Sequence, residues 1–196
     1  MEAIRRASKA WFEDVASPAI AWLDTRRVTP NQVSTTGLVL TLSSAPLIAE
    51  GWLSTGAVLF GIGSLSDAVD GALARRQGRT SRFGAFLDST FDRIGEGAAL
   101  AALAVYFAFQ GEPAAVGAAM IALLAGNLTS YVRARAEALG IDCEVGWASR
   151  IERVVIMSVG MVLHVPVPMI WLLAALTVVT VGQRVWHVHS RMTSTA

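Results

Sequence analysis

Six apolar stretches, centred on residues 33–49, 53–66, 94–109, 114–128, 154–165 and 168–183, alternate with Gly, Pro or charged breaks along a chain of 196 residues. With 54% hydrophobic residues, 16% charged residues and a mean hydropathy of +0.51, the chain has too little polar surface to enclose those stretches as a soluble globule. The expected fold class is an all-α integral membrane protein with six transmembrane helices. Several stretches fall short of the ~20 apolar residues that cross a bilayer, so the polar segments beside them must continue the helices. The charged residues between the second and third stretches are therefore placed on helices.

All sixteen Lys and Arg residues, from Arg5 to Arg191, fall on one side of the resulting topology. The opposite connections, near Glu50, at 110–113 and at 164–168, carry none. By the positive-inside rule both termini face the cytoplasm, which predicts a multi-pass protein of the cell membrane. The N-terminal segment is charged and interrupted where a cleaved signal peptide needs a continuous apolar core, so the mature chain is expected to begin near Met1. In residues 1–28, Ile4, Trp11, Phe12, Val15, Ile20, Trp22 and Leu23 alternate with charges, as in an amphipathic helix lying along the cytoplasmic leaflet, with Pro18 bending or splitting it. Thr29, Pro30 and Gln32 form a capping-box pattern that starts the first membrane helix near Pro30. The expected division is thus an interfacial segment, 1–28, and a six-helix domain, 29–192.

The stretch "DAVDGALARRQGRTSRFGAFLDSTFD", residues 67–92, carries four aspartates inside two of these helices. Asp67 and Asp70 are three apart, and Asp88 and Asp92 four apart, so each pair shares a helix face. A short turn with Gly78 and Gly84 nearby makes the two helices antiparallel neighbours, with the four carboxylates at one end. Such a cluster repels itself strongly in a low-dielectric setting, and one or two hard divalent cations, Mg2+ or Mn2+, are the usual remedy. A plainer alternative is pairing with Arg75, Arg76, Arg79, Arg82 and Arg93 at a charged interface. Gly71 and Ala74 favour the metal reading, because absent side chains let a ligand's phosphates approach, and Arg75 on the face of Asp67 and Gly71 can fork a phosphate oxygen.

Asp67, Asp70, Gly71, Ala74, Arg75, Gly84, Asp88 and Asp92 together match the signature of the CDP-alcohol phosphotransferase family, which the chain resembles over most of its length. The resemblance implies that Asp67, Asp70, Asp88 and Asp92 hold two metal ions and that Asp92 is also the general base. It further implies that Pro30, Asn31, Gln32, Val33, Gly71, Ala74, Arg75 and Ser81 line the site of a CDP-linked lipid, CDP-diacylglycerol. An alcohol hydroxyl would attack the phosphorus attached to the donor lipid, and CMP would leave. A homodimer is also implied.

The acceptor is read from a second cationic set: Ser130 and Arg133 at the end of the fourth helix, Arg150 and Arg153 before the fifth, and Arg184 on the sixth. Such a pocket suits an acceptor that already bears a phosphate. These segments are similar to those of actinobacterial phosphatidylinositol phosphate synthases, which implies inositol 1-phosphate as acceptor and phosphatidylinositol phosphate as product. The chain departs from that pattern in having Arg133 where lysine is usual and "SRIER" where a proline commonly precedes the final Glu-Arg. Glycerol 3-phosphate, making the chain a phosphatidylglycerophosphate synthase, is the alternative, and a cation transporter or non-catalytic subunit is a remote one. Pathway acids of a transporter belong near the midplane, whereas these cluster at one end. His164, His187 and His189 lack ligand spacing to the aspartates, and Trp52, Trp147, Trp171 and Trp186 read as interfacial belts. The partners expected are membrane lipids and the two substrates, with no nucleic acid.

Overall fold

The computed structural model describes residues 17–193, and helices and their connections account for all of these described residues, without a strand among them. The first helix, α1, is described over residues 17–25, so most of the expected interfacial segment, including the apolar positions Ile4, Trp11, Phe12 and Val15, lies outside the described residues. Six helices follow: α2 (Pro30–Ala49), α3 (Leu53–Arg76), α4 (Arg82–Phe109), α5 (Pro113–Ala138), α6 (Arg150–Val162) and α7 (Pro166–Thr193). Each apolar stretch of the sequence lies in one of them, except that the fifth runs three residues past the end of α6 at Val162. The polar flanks extend the helices: α3 continues through Asp67 and Asp70 to Arg76, and α4 carries Asp88 and Asp92 within its first half.

Four helices, α2, α3, α5 and α7, are long and apolar enough to cross a membrane. Their outward faces expose Val39, Leu42, Ile62, Leu124, Trp171 and Val178. An apolar shell of this extent belongs in lipid, and the chain is a multi-pass membrane protein. Helix α4 is long but charged in its first half, and α6 has only 13 residues, about 20 Å of helix.

Helix α2 starts as its sequence predicts. The Thr29 hydroxyl accepts from the Gln32 backbone at 3.4 Å, the Gln32 side chain accepts from the Thr29 backbone at 2.9 Å, and Pro30 occupies the first turn. The end of α1 is fastened to the end of α3, where Arg76 and the Gln77 amide both donate to Asp24 at 3.1 Å.

The six helices close a ring: α2 packs on α3, α3 on α6, α6 on α7, α7 on α5, α5 on α4, and α4 on α2. This corrects the expectation that the two aspartate helices lie side by side, because α3 and α4 touch only slightly and α2 is held between them. The cause is close backbone approach. A Cβ on Gly63 would lie 2.7 Å from the Gly37 carbonyl and 2.2 Å from Thr41 Oγ1, and a Cβ on Gly95 would lie 2.7 Å from Thr41 Cγ2. Thr41 of α2 therefore nests against both neighbours where each lacks a side chain. The interior beyond this contact is apolar, built around Phe60, Leu103, Phe107, Met157, Ile170 and Leu173, with Ala118, Ala119 and Ala122 admitting α5 closely.

Candidate active site

The end of the ring holding the arginine-rich connections also holds the acids. Asp67 and Asp70 project from α3 and Asp88 from α4, and each offers a carboxylate oxygen within 4.8 Å of the other two. Asp70 is buried and accepts a hydrogen bond from Ser34 of α2. Asp88 Oδ1 is buried without a hydrogen-bond partner among the described residues. Two carboxylates this close repel by about 3 kcal/mol at an effective dielectric of about 20, so the arrangement calls for a cation. Three convergent carboxylates and an unpartnered buried oxygen fit a hard divalent ion that takes oxygen ligands.

Asp92, one turn beyond Asp88, stands beside this group instead of within it. Its Oδ1 meets Arg150 Nη2 at 2.8 Å, and the same nitrogen is ion-paired with Asp67 Oδ2. A cleft between the helices is lined there by Thr41, Ser64, Asp67, Asp92, Glu96 and Arg150. Arg150, read from the sequence as a phosphate ligand, is thus placed against the carboxylates.

The residues assigned to the CDP donor lie at the start of α2, on the last turns of α3 and at the cap of α4. Pro30, Asn31, Gln32 and Val33 form the first turn of α2, with Asn31 and Gln32 exposed. Gly71 and Ala74 are half-buried on α3, and Arg75 Nη1 lies 3.6 Å from the place a Gly71 Cβ would take, so the guanidinium folds back over the glycine. Ser81 caps α4, its hydroxyl accepting from the Gly84 backbone at 3.0 Å.

The acceptor set divides into two parts. Arg153 and Arg184 are both buried and converge on Thr129 of α5: Arg153 Nη1 reaches its hydroxyl at 3.3 Å and Arg184 Nη1 its carbonyl at 2.5 Å. Arg184 Nε also donates to the Val145 carbonyl at 2.9 Å. Ser130, half-buried, is the next residue on α5. Arg133 lies a turn further out and pairs with Glu137 at 2.7 Å and Glu144 at 3.1 Å.

Three participants were not singled out from the sequence. Ser34 was hidden by its ordinary place in an apolar helix. Glu96 is buried on α4 and binds Arg153 through both carboxylate oxygens, at 2.5 and 2.7 Å. Its signal was the continued spacing of four after Asp88 and Asp92. Thr129 had no signal beyond its position beside Ser130. Cys143, between α5 and α6, is fully buried, and burial pushes its thiol up, so it packs as a neutral side chain.

This geometry coincides with a close likeness to known proteins. The chain is 37% identical over 179 residues to the phosphatidylinositol phosphate synthase of Corynebacterium glutamicum, covering 87% of this chain and 82% of that one. The crystal structure of Mycobacterium tuberculosis phosphatidylinositol phosphate synthase with CDP-DAG bound matches with a TM-score of 0.82 at 33% identity, over 89% of this chain and 94% of that one. The same enzyme in complex with manganese and citrate matches with a TM-score of 0.82 at 34% identity, over 87% of both chains. The family model for CDP-alcohol phosphatidyltransferase spans residues 27–183, and the chain belongs to that family.

Proposed function

We propose that the protein transfers a phosphatidyl group from CDP-diacylglycerol to inositol 1-phosphate, giving phosphatidylinositol phosphate and CMP. The observation that carries this reading is the convergence of Asp67, Asp70 and Asp88, with Asp92 adjoining, at the end of the ring where Ser130, Arg153 and Arg184 also gather. Its acceptor assignment is supported by the likeness to phosphatidylinositol phosphate synthases.

In this reading Asp67, Asp70, Asp88 and Asp92 hold two ions, Mg2+ or Mn2+, which when bound neutralise the diphosphate and the charge developing on the leaving CMP. Arg75 forks a diphosphate oxygen, and Gly71 and Ala74 leave room for the phosphates beside the α3 backbone. The first turn of α2 and Ser81 border the cytidine end of the donor. Asp92 takes the proton from the acceptor hydroxyl as its oxygen bonds to the phosphorus attached to the donor lipid and the bond from that phosphorus to CMP breaks. Ser130, Arg133, Arg150, Arg153 and Arg184 supply the field that holds the acceptor's own phosphate. Without it, repulsion between two phosphorylated substrates opposes the ternary complex.

The same reading places six helices across the cell membrane, with residues 1–28 along the inner leaflet and the acids facing the cytoplasm, because every arginine among the described residues lies at the end of the ring that carries the acids. The donor's acyl chains then remain in the bilayer while its headgroup reaches the site. A homodimer is the proposed assembly.

The test supplies purified protein, Mg2+ and CDP-diacylglycerol with inositol 1-phosphate, inositol, glycerol 3-phosphate or serine in parallel, and reads CMP release and product mass. Fastest turnover is expected with inositol 1-phosphate. Fastest turnover with glycerol 3-phosphate would keep the phosphate pocket and replace the substrate, while preference for inositol or serine would remove the pocket.

A further inference from the structure

Arg150 occupies a position that a phosphate ligand alone does not explain. One nitrogen, Nη2, serves two carboxylates on different helices, Asp67 Oδ2 of α3 and Asp92 Oδ1 of α4. Both oxygens are buried and take no hydrogen bond among the described residues, so the guanidinium is the cation that offsets them. Asp67 also belongs to the group of three carboxylates that fits a divalent ion. A metal drawing on Asp67 and the guanidinium thus compete for one side chain.

The backbone under Arg150 is fixed while its side chain has room to leave. Arg150 is the first residue of α6, and Arg153, one turn on, is locked to Glu96. The Arg150 side chain remains 28% exposed, against 4% for Arg153. A flexible side chain on an anchored helix end can swing away without moving α6.

We propose that Arg150 is a resident counter-cation of the carboxylate cluster, which a divalent ion must displace from Asp67 and Asp92 when it binds. Arg150 holds the acids of α3 and α4 together in the metal-free protein and weakens metal binding by competition. Displacement turns its charge toward incoming phosphate, which joins its ion pair to the acceptor role given above. The inference rests on the divalent-ion reading of the carboxylates and on no particular acceptor.

The test is Mn2+ binding to the detergent-purified protein without substrates, followed by the electron paramagnetic resonance signal of free Mn2+, together with thermal unfolding with and without the ion. Arg150→Gln should bind Mn2+ ~tenfold or more tightly than wild type, because one competing positive charge is gone. It should also unfold at lower temperature than wild type without metal, with the gap narrowing when Mn2+ is present. Arg150→Lys keeps the charge but places a shorter, more compact cation between the two carboxylates, and its affinity should fall between the two. It supplies the comparison if Arg150→Gln does not fold. Mn2+ affinity in the variants equal to or below wild type would overturn the role of Arg150 while leaving the metal site standing. A wild-type protein that binds no Mn2+ would remove both.

Discussion

Glu96 and Arg153 meet in a buried, two-pronged ion pair across 57 residues of chain, Nε to Oε1 at 2.5 Å and Nη2 to Oε2 at 2.7 Å. The same guanidinium donates to Thr129 of α5 and, at 3.1 Å, to the Ala148 carbonyl of the segment entering α6. One side chain thus ties α4, α5 and α6 at the level of the acids. A buried pair of this kind adds little net stability over an apolar replacement, but losing one partner strands a charge at a cost of roughly 3–5 kcal/mol. Glu96→Ala should therefore lower the unfolding temperature markedly, and Glu96→Gln with Arg153→Met should recover part of the loss. Unfolding of Glu96→Ala at the wild-type temperature would count against the lock.

Asp67 and Asp88 sit in the group of three carboxylates whose oxygens approach within 4.8 Å, and neutralising either removes an anionic ligand without changing its volume. Asp67→Asn and Asp88→Asn should each lose nearly all turnover in the CMP-release assay while eluting as folded protein in detergent. Near-normal activity in either variant would remove the metal assignment.

Asp92 lies outside that group, tied to it through Arg150, which suits a carboxylate that takes a proton more than one that only binds an ion. Asp92→Asn should still bind CDP-diacylglycerol in the presence of metal but turn over slower by on the order of 10²–10⁴, the usual range for a general base. A defect confined to donor affinity would send the search for the base elsewhere.

Arg184 and Arg133 separate two parts of the acceptor pocket. Arg184 is buried against Thr129 and Val145, whereas Arg133 is half-exposed and already paired with Glu137 and Glu144. Arg184→Ala should raise the acceptor KM much more than the donor KM, the signature of lost ground-state binding. Arg133→Ala should shift the same ratio less, since an exposed pair is screened and holds the side chain only weakly. Equal effects on both substrates in Arg184→Ala would point to a structural role.

Much of this site was readable along the chain because its cues are local. The start of α2 follows from Thr29, Pro30 and Gln32, which satisfy one another's backbone groups within a single turn. The shared faces of the aspartate pairs follow from helical spacing alone. What stayed hidden depends on contacts between distant segments. Glu96 continues the spacing of Asp88 and Asp92 along α4, but its role as a partner of Arg153 depends on a residue 57 positions away. The direction of Arg150 could not be read from "SRIER", since a long side chain at a helix start reaches either a phosphate or a carboxylate. The packing of α2 between the two aspartate helices rests on Thr41 meeting Gly63 and Gly95, three residues without any motif in sequence.

That last contact sets the separation of the two acid-bearing helices, and it can be taken apart selectively. A Cβ at Gly95 would meet only the Thr41 side chain, at 2.7 Å from Cγ2, whereas a Cβ at Gly63 would meet the Gly37 carbonyl at 2.7 Å as well as Thr41 Oγ1 at 2.2 Å. Overpacking of this kind costs roughly 1–3 kcal/mol where neighbours cannot give. Gly95→Ala should lower stability and turnover, and Thr41→Ser, which deletes Cγ2, should restore much of both. Gly63→Ala should resist rescue by Thr41→Ser, because the remaining clash is with backbone and the hydroxyl is retained. Unfolding temperatures and CMP release measured for the three single variants and the two double variants give the coupling directly. Equal rescue in both backgrounds would mean that α2 shifts freely against α3, and that the close approach of these backbones does not fix the spacing of the carboxylates.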